Sequence, residues 1–187
     1  MRKLIFVRHS QSKPQPDTPP SQWPLSDEGR QRCQSLAVAL QDHQPDTVIT
    51  SNEVKAQQTA EALATAFAIP IDYETLLHEH ERTDAPFLPD EQFLDTIHTF
   101  FNQPERLVFG NETAAQALQR FQRGINNVLK RYPEGNLIIV THGTVLSLFV
   151  AHHTGQDPFT FWQQLDQPAF VIFNHPPFRL AATVFTV

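Results

Sequence analysis

Cysteine is almost absent from this 187-residue chain. Cys33 is the only one, which excludes a disulfide framework and a thiolate-held metal cluster. Glycine is scarce too, with 6 residues. The glycine-rich phosphate loop of many nucleotide-binding proteins does not occur, so nucleotide binding of that kind is excluded. No apolar run approaches the ~20 residues a membrane-spanning helix needs. The opening Met1-Arg2-Lys3, followed by four apolar residues and cut off by Arg8, is too short for a signal peptide. Positive charge is in deficit: 14 Lys and Arg against 20 Asp and Glu give a formal net charge of −6. Nonspecific binding to nucleic acid or to an anionic membrane needs a basic surface, so neither partner is expected. A local basic pocket inside an acidic protein stays open. These absences together lead to an expected reducing, cytoplasmic location.

What is present belongs to an ordinary globular protein, with 40% hydrophobic and 18% charged residues. The length fits a single domain over residues 1–187, burying roughly 70% of its unfolded surface. One phrase occurs twice: Leu4-Ile5-Phe6-Val7-Arg8-His9 and Leu137-Ile138-Ile139-Val140-Thr141-His142. Continuous apolar runs of this length read as strands buried on both faces of a parallel sheet. In such sheets ligands bind outside the carboxyl ends of the strands. For either phrase alone, a core strand with an incidental histidine is the simpler account. The pair, with Arg8 before one histidine and Gly143 after the other, favours a site.

Between the phrases, strand and helix signals alternate. Residues 10–25 hold five prolines and read as a loop. Ser26 offers an N-cap to a helix with Cys33, Leu36, Ala37 and Leu40 on its buried stripe. Thr47–Thr50 is a second strand. Ser51 is expected to cap the next helix, whose stripe is Ala56, Ala60, Leu63 and Phe67. Ile69–Tyr73 reads as a third strand, and residues 74–111 as an excursion over the active-site edge containing one helix near 90–101. Ala114, Ala117, Leu118, Phe121, Ile125, Val128 and Leu129 mark a strongly amphipathic helix. Val145–Ala151 continues as a helix, and Ala169–Asn174 with Leu180–Val187 closes as a strand pair. The pattern predicts an α/β fold, a three-layer sandwich with a largely parallel central sheet flanked by helices.

The chemistry gathers at strand and helix ends. Arg8 and His9 follow the first strand; Ser51 and Lys55 lie four apart at a predicted helix start. His142 and Gly143 occupy another strand-to-helix junction. Helix N-termini present N–H groups suited to a phosphate. Two cations, two imidazoles and two helix starts meeting in one crevice describe a site for a dianion. His78, His80, His152 and His153 could suggest a zinc site, but histidines two apart share no helix face, so no metal is expected. Phe87, Phe93, Phe100, Phe101, Phe109, Phe161 and Trp162 are most simply packing groups, and Glu81, Arg82 and Asp84 a solvated loop face.

At these residues the chain resembles the histidine phosphatases, the phosphoglycerate-mutase-like superfamily. The resemblance rests on Arg8-His9, Ser51-x-x-x-Lys55-Ala56-x-Gln58-Thr59-Ala60, Leu77-x-Glu79 and Thr141-His142-Gly143, with Gly110 and Glu112-Thr113 a looser match. It implies a phosphomonoesterase that needs neither metal nor cofactor and acts on a small-molecule phosphate ester. His9 would take the phosphoryl group; Arg8, Lys55 and His142 would hold its oxygens; Glu79 would protonate the leaving oxygen, which calls for a raised pKa. Ser10 stands where the family often has glycine, and Lys55 where it usually has arginine, which loses the planar fork. Glu81 remains the other candidate acid. Mutase-type phosphoryl transfer, a noncatalytic phosphate-binding module and a metal-dependent hydrolase are the alternatives. Against the mutase reading, residues 74–111 carry only Arg82 and Arg106 as cations.

Overall fold

The two copies of the repeated phrase lie side by side. In the computed structural model, strands β1 (Arg2–Arg8) and β4 (Leu137–Thr141) pair in parallel with Leu4 opposite Leu137 and Arg8 opposite Thr141. The His9 N–H extends the ladder by donating to the Thr141 carbonyl at 2.9 Å. The structure describes residues 1–15, 17–82 and 88–187, and only the backbone of Asp90. Asp84 and Phe87 lie outside the described residues.

Four more strands complete the sheet: β2 (Thr47–Thr50), β3 (Ile71–Tyr73), β5 (Ala169–His175) and β6 (Arg179–Val184), in the order β3-β2-β4-β1-β5-β6. The first four are mutually parallel, while β5 runs antiparallel to β1 and β6 antiparallel to β5. Helices α1 (Asp27–Leu40) and α2 (Val54–Phe67) cover one face. The other carries α3 (Asp90–Asn102), α4 (Ala114–Arg131), α5 (Gly143–Thr154) and α6 (Pro158–Gln164).

Strand alternation divides the core between these layers. Leu4 and Phe6 face α4 and α5, whereas Ile5 and Val7 face Leu36 and Leu40 of α1 and Leu63 of α2. Phe6 anchors its side through ring contacts with Phe149 at 5.0 Å and Phe173 at 5.8 Å. The helices that follow the adjacent strands β1 and β4 therefore lie on opposite faces. That reversal opens a crevice at the carboxyl ends of these strands, where His9 and His142 emerge.

Local details differ from the sequence expectation in two places, and a third agrees. Ser26 does cap α1, accepting from Gly29 N–H at 2.9 Å. Ser51 does not cap α2: that helix starts three residues later, with Glu53 as its N-cap in extended backbone. Helix α6 falls in a stretch with no clear periodicity. Asp157 caps it, accepting from Thr160 N–H, and Pro158 starts it. Among the described residues no helix is long and apolar enough to cross a membrane.

Candidate active site

The site forms where β1, β2 and β4 end. The rings of His9 and His142, both buried, approach with centroids 5.2 Å apart. His9 Nδ1 lies 2.7 Å from the Ser10 carbonyl oxygen, which can only accept, so Nδ1 carries the proton and Nε2 keeps its lone pair. Burial pushes the pKa of His9 well down, and His142, Lys55 and Arg8 push the same way. The Ser10 carbonyl opposes them without prevailing. His142 is lowered just as firmly, by burial first and then by Lys55. Both imidazoles are therefore neutral at pH 7.

Arg8 leaves the end of β1 and its Nη1 donates to the Leu165 carbonyl, just beyond α6. Its guanidinium passes against Gly143. A Cβ at that glycine would stand 3.0 Å from Arg8 Nε and 3.1 Å from Cζ, so the missing side chain makes room for the cation. Two buried nitrogens here, Arg8 Nε and His142 Nδ1, have no hydrogen-bond partner among the described residues.

The Ser10 carbonyl holds His9, while its side chain and N–H are engaged away from the crevice. Its hydroxyl donates to the Gly29 carbonyl at 2.7 Å, and its N–H donates to Thr59 Oγ1 at 3.0 Å. It ties the exit of β1 to α1 and α2, and a glycine there would lose the hydroxyl's bond to α1. Ser51, ahead of α2, brings its hydroxyl within 2.7 Å of His142 Nε2.

Lys55 points into the site but is engaged: Nζ donates to the Pro20 carbonyl at 2.7 Å and pairs with Glu53 Oε2 at 2.6 Å. Glu53 escaped the sequence reading. A carboxylate at a helix start reads as a solvated group stabilised by the helix dipole. As N-cap in extended backbone it turns inward instead, buried with 7% exposure. Its Oε1 accepts the Glu79 N–H at 2.8 Å and lies 3.5 Å from His142 Nε2. Burial raises the Glu53 carboxyl, but Lys55, the Glu79 N–H and His9 outweigh it and hold it below the usual carboxylate range.

The two candidate acids are separated cleanly. Glu79 turns its carboxylate onto the start of α5, accepting from Thr144 N–H at 3.1 Å and Val145 N–H at 3.3 Å, as well as from His80 N–H at 2.9 Å. The Glu81 side chain is half exposed and lies beside His78 at 3.5 Å. The start of α5, expected to offer its N–H groups to an anion, thus already holds the Glu79 carboxylate. The raised pKa expected for this acid is also not found. Burial pushes it up, but His142, Arg82 and the N–H groups of His80 and Thr144 outweigh burial and keep it ionised.

Behind Glu79 stands a second feature that sequence reasoning missed. Arg120 of α4 is buried and paired with Glu112, with Nη2 2.5 Å from Oε1 and Nε 3.1 Å from Oε2. The same guanidinium donates to the carbonyls of Leu76, His78 and Glu79 at 2.9, 2.9 and 3.1 Å. Glu112 also accepts the Glu81 N–H at 3.0 Å. Arg120 falls three residues after Ala117 and four before Gly124, inside the buried stripe of α4. A charge on that stripe was the available signal.

Of the aromatics expected as packing groups, Phe100, Phe101 and Phe161 are buried. Phe93, Phe109 and Trp162 are half-buried, and Arg82 lies over the Phe93 ring at 5.2 Å. Among the described residues no group of three or more His, Cys, Asp or Glu side chains could hold a metal ion.

The fold thus brings two neutral imidazoles, an arginine, a lysine and two carboxylates to the carboxyl edge of a parallel sheet. A family model described as the Histidine phosphatase superfamily (branch 1) matches residues 4–179, and the chain belongs to that superfamily. It is 24% identical over 135 residues to "Uncharacterized phosphatase PhoE" of Bacillus subtilis (strain 168), covering 72% of this chain and 67% of that protein. The fold is shared with a mycobacterial glucosyl-3-phosphoglycerate phosphatase, at a TM-score of 0.78 and 17% identity over 100% of this chain and 99% of the other. It is shared also with the alpha-ribazole phosphatase of Shigella flexneri, at 0.76 and 21% identity over 98% and 96%. Family and relatives together support a phosphoric monoester hydrolase.

Proposed function

We propose that this protein is a metal-independent phosphomonoesterase that works through a phosphohistidine on His9. The observation that carries the reading is the pairing of β1 with β4, which sets a lone-pair-bearing His9 beside His142, with Arg8 and Lys55 at the same edge. His9 Nε2 attacks phosphorus and the P–O bond to the alcohol breaks. Glu79, once protonated, gives its proton to the departing oxygen. Water then attacks phosphorus, its proton passes to Glu79, and the P–N bond breaks to restore His9. Arg8, Lys55 and His142 hold the phosphoryl oxygens as charge spreads over them.

The substrate we infer is a small phosphorylated metabolite. The names of relatives that act on glucosyl-3-phosphoglycerate and alpha-ribazole phosphate esters support this class. A reducing, cytoplasmic setting fits a chain whose single cysteine, Cys33, is buried.

The test is hydrolysis of p-nitrophenyl phosphate by the purified protein with and without excess chelator, alongside His9→Ala. We expect activity that survives chelation and disappears in the variant. Chelator-sensitive activity restored by zinc would remove the phosphohistidine route. Phosphate binding without hydrolysis of any ester would leave a binding module.

A further inference from the structure

Glu53 places a second carboxylate inside a site meant for an anion. Its oxygens lie 2.6 Å from Lys55 Nζ, 2.8 Å from the Glu79 nitrogen and 3.5 Å from His142 Nε2. The groups facing it come from every element around it: Lys55 from α2, His142 from the end of β4, the Glu79 backbone from the connection after β3, and the more distant ring of His9 from the end of β1. Of the charges that meet the crevice, Arg8 and Lys55 are balanced by Glu53 and Glu79, while His9 and His142 are neutral. Farther out, Arg82 over Phe93 and Asp166 act on Arg8 with opposite sign, Arg82 also reaching Glu79, and Arg120 is neutralised by Glu112. The centre therefore has no net positive charge with which to bind a dianion.

Phosphomonoesters are largely dianionic above their second pKa of about 6. Bringing a dianion beside two carboxylates in a buried site is unfavourable unless a proton comes with it. We propose that Glu53 is a specificity-determining residue that couples phosphoryl binding to the uptake of one proton. The ester enters as its monoanion, or as the dianion with a solvent proton, and in either case that proton is available to Glu79. Glu79 starts ionised and needs a proton before it can act, so Glu53 loads the acid as the substrate arrives. The inference rests on the phosphoryl reading of the site and adds to it the protonation state the site selects.

Inorganic phosphate titrated into the intact protein by calorimetry, in buffers of different ionisation enthalpy at pH 8, reads the proton directly. Wild type should take up about one proton per phosphate, and its affinity should fall about tenfold per pH unit above pH 8, where the ligand no longer titrates. Glu53→Gln should take up less than half a proton, bind phosphate at least about tenfold more tightly at pH 8, and carry activity to higher pH. Glu53→Asp, which keeps the charge, should retain proton uptake and the wild-type pH profile. Phosphate binding by wild type with no proton uptake and a flat pH dependence overturns the inference and leaves the phosphoryl reading standing, even if neither variant folds. Uptake in Glu53→Gln equal to wild type overturns it too. No phosphate binding by wild type removes the phosphoryl reading and this inference with it.

Discussion

A general acid must hold its proton when the leaving oxygen departs, and it matters most when that oxygen is a poor leaving group. Glu79 meets the positional requirement: its carboxylate lies at the start of α5, beside the junction that carries His142 and Gly143. Glu81, two residues on, points toward solvent and His78. Glu79→Gln should therefore slow hydrolysis of alkyl phosphates by at least about a hundredfold, within the usual range for a lost acid, and p-nitrophenyl phosphate by less than about tenfold. Glu81→Gln should leave both rates within about twofold. Steady-state kinetics with the two ester types decide it. A leaving-group-dependent defect confined to Glu81→Gln would move the acid, and equal losses on both esters in Glu79→Gln would mean a binding role. That Glu79 rather than Glu81 faces the site agrees with the preference drawn from its spacing from Leu77. The resting charge of Glu79 was not legible, because that depends on His142, on Arg82 and on the Thr144 N–H, 65 residues away in sequence.

The connection that carries Glu79 is held as a unit by α4. Arg120 gathers three carbonyls of the segment between Leu76 and Glu79, and Glu112 fixes both that guanidinium and the Glu81 N–H. Removing one partner of a buried ion pair leaves an uncompensated charge at a cost of about 3–5 kcal/mol, whereas removing both is far less harmful. Arg120→Met should accordingly lower stability by about that amount in urea denaturation. Arg120→Met with Glu112→Leu should recover part of it, yet still turn over alkyl esters at least about tenfold more slowly than wild type, because the carbonyls remain unclamped. A double variant with normal alkyl-ester turnover would reduce the pair to a structural role. Elements with strong periodicity or caps were readable: the stripe of α4, the Ser26 cap and the two histidine strands. Helix α6 was not, since seven residues give fewer than two full turns of pattern. The start of α2 was misplaced because Ser51 is a good cap by chemistry but is engaged with His142.

At the scale of the whole molecule, burying His9 beside a second imidazole links stability to pH. The two histidine strands were visible as a repeated phrase, but their pairing was not, and the depth of the two histidines depends on α5, whose residues Gly143 to Val150 are all buried. His9 and His142 are held neutral, with pKa values driven well below that of a free histidine mainly by burial. Below the unfolded value of about 6.5, the unfolded chain binds protons that the folded protein refuses. Stability must then rise with pH across that window and be lost as pH falls below about 6.5. Each buried imidazole contributes a slope of up to ~1.4 kcal/mol per pH unit. His43, His80, His153 and His175 shift in the same direction and add to it. The lowered carboxyls of Glu53, Glu79 and Glu112 work at lower pH, since their stabilisation is lost only below the unfolded carboxyl value near 4.3. Loss of stability between pH 6.5 and 5 is thus the signature of the histidines. Urea unfolding at pH 7.5 and pH 5.5 should give a clearly lower midpoint at the acid value, and a variant with His9→Gln and His142→Gln should show a smaller drop. A midpoint that stays level between these pH values in wild type, or falls just as far in the double variant, would mean that the two imidazoles are not held neutral by the fold.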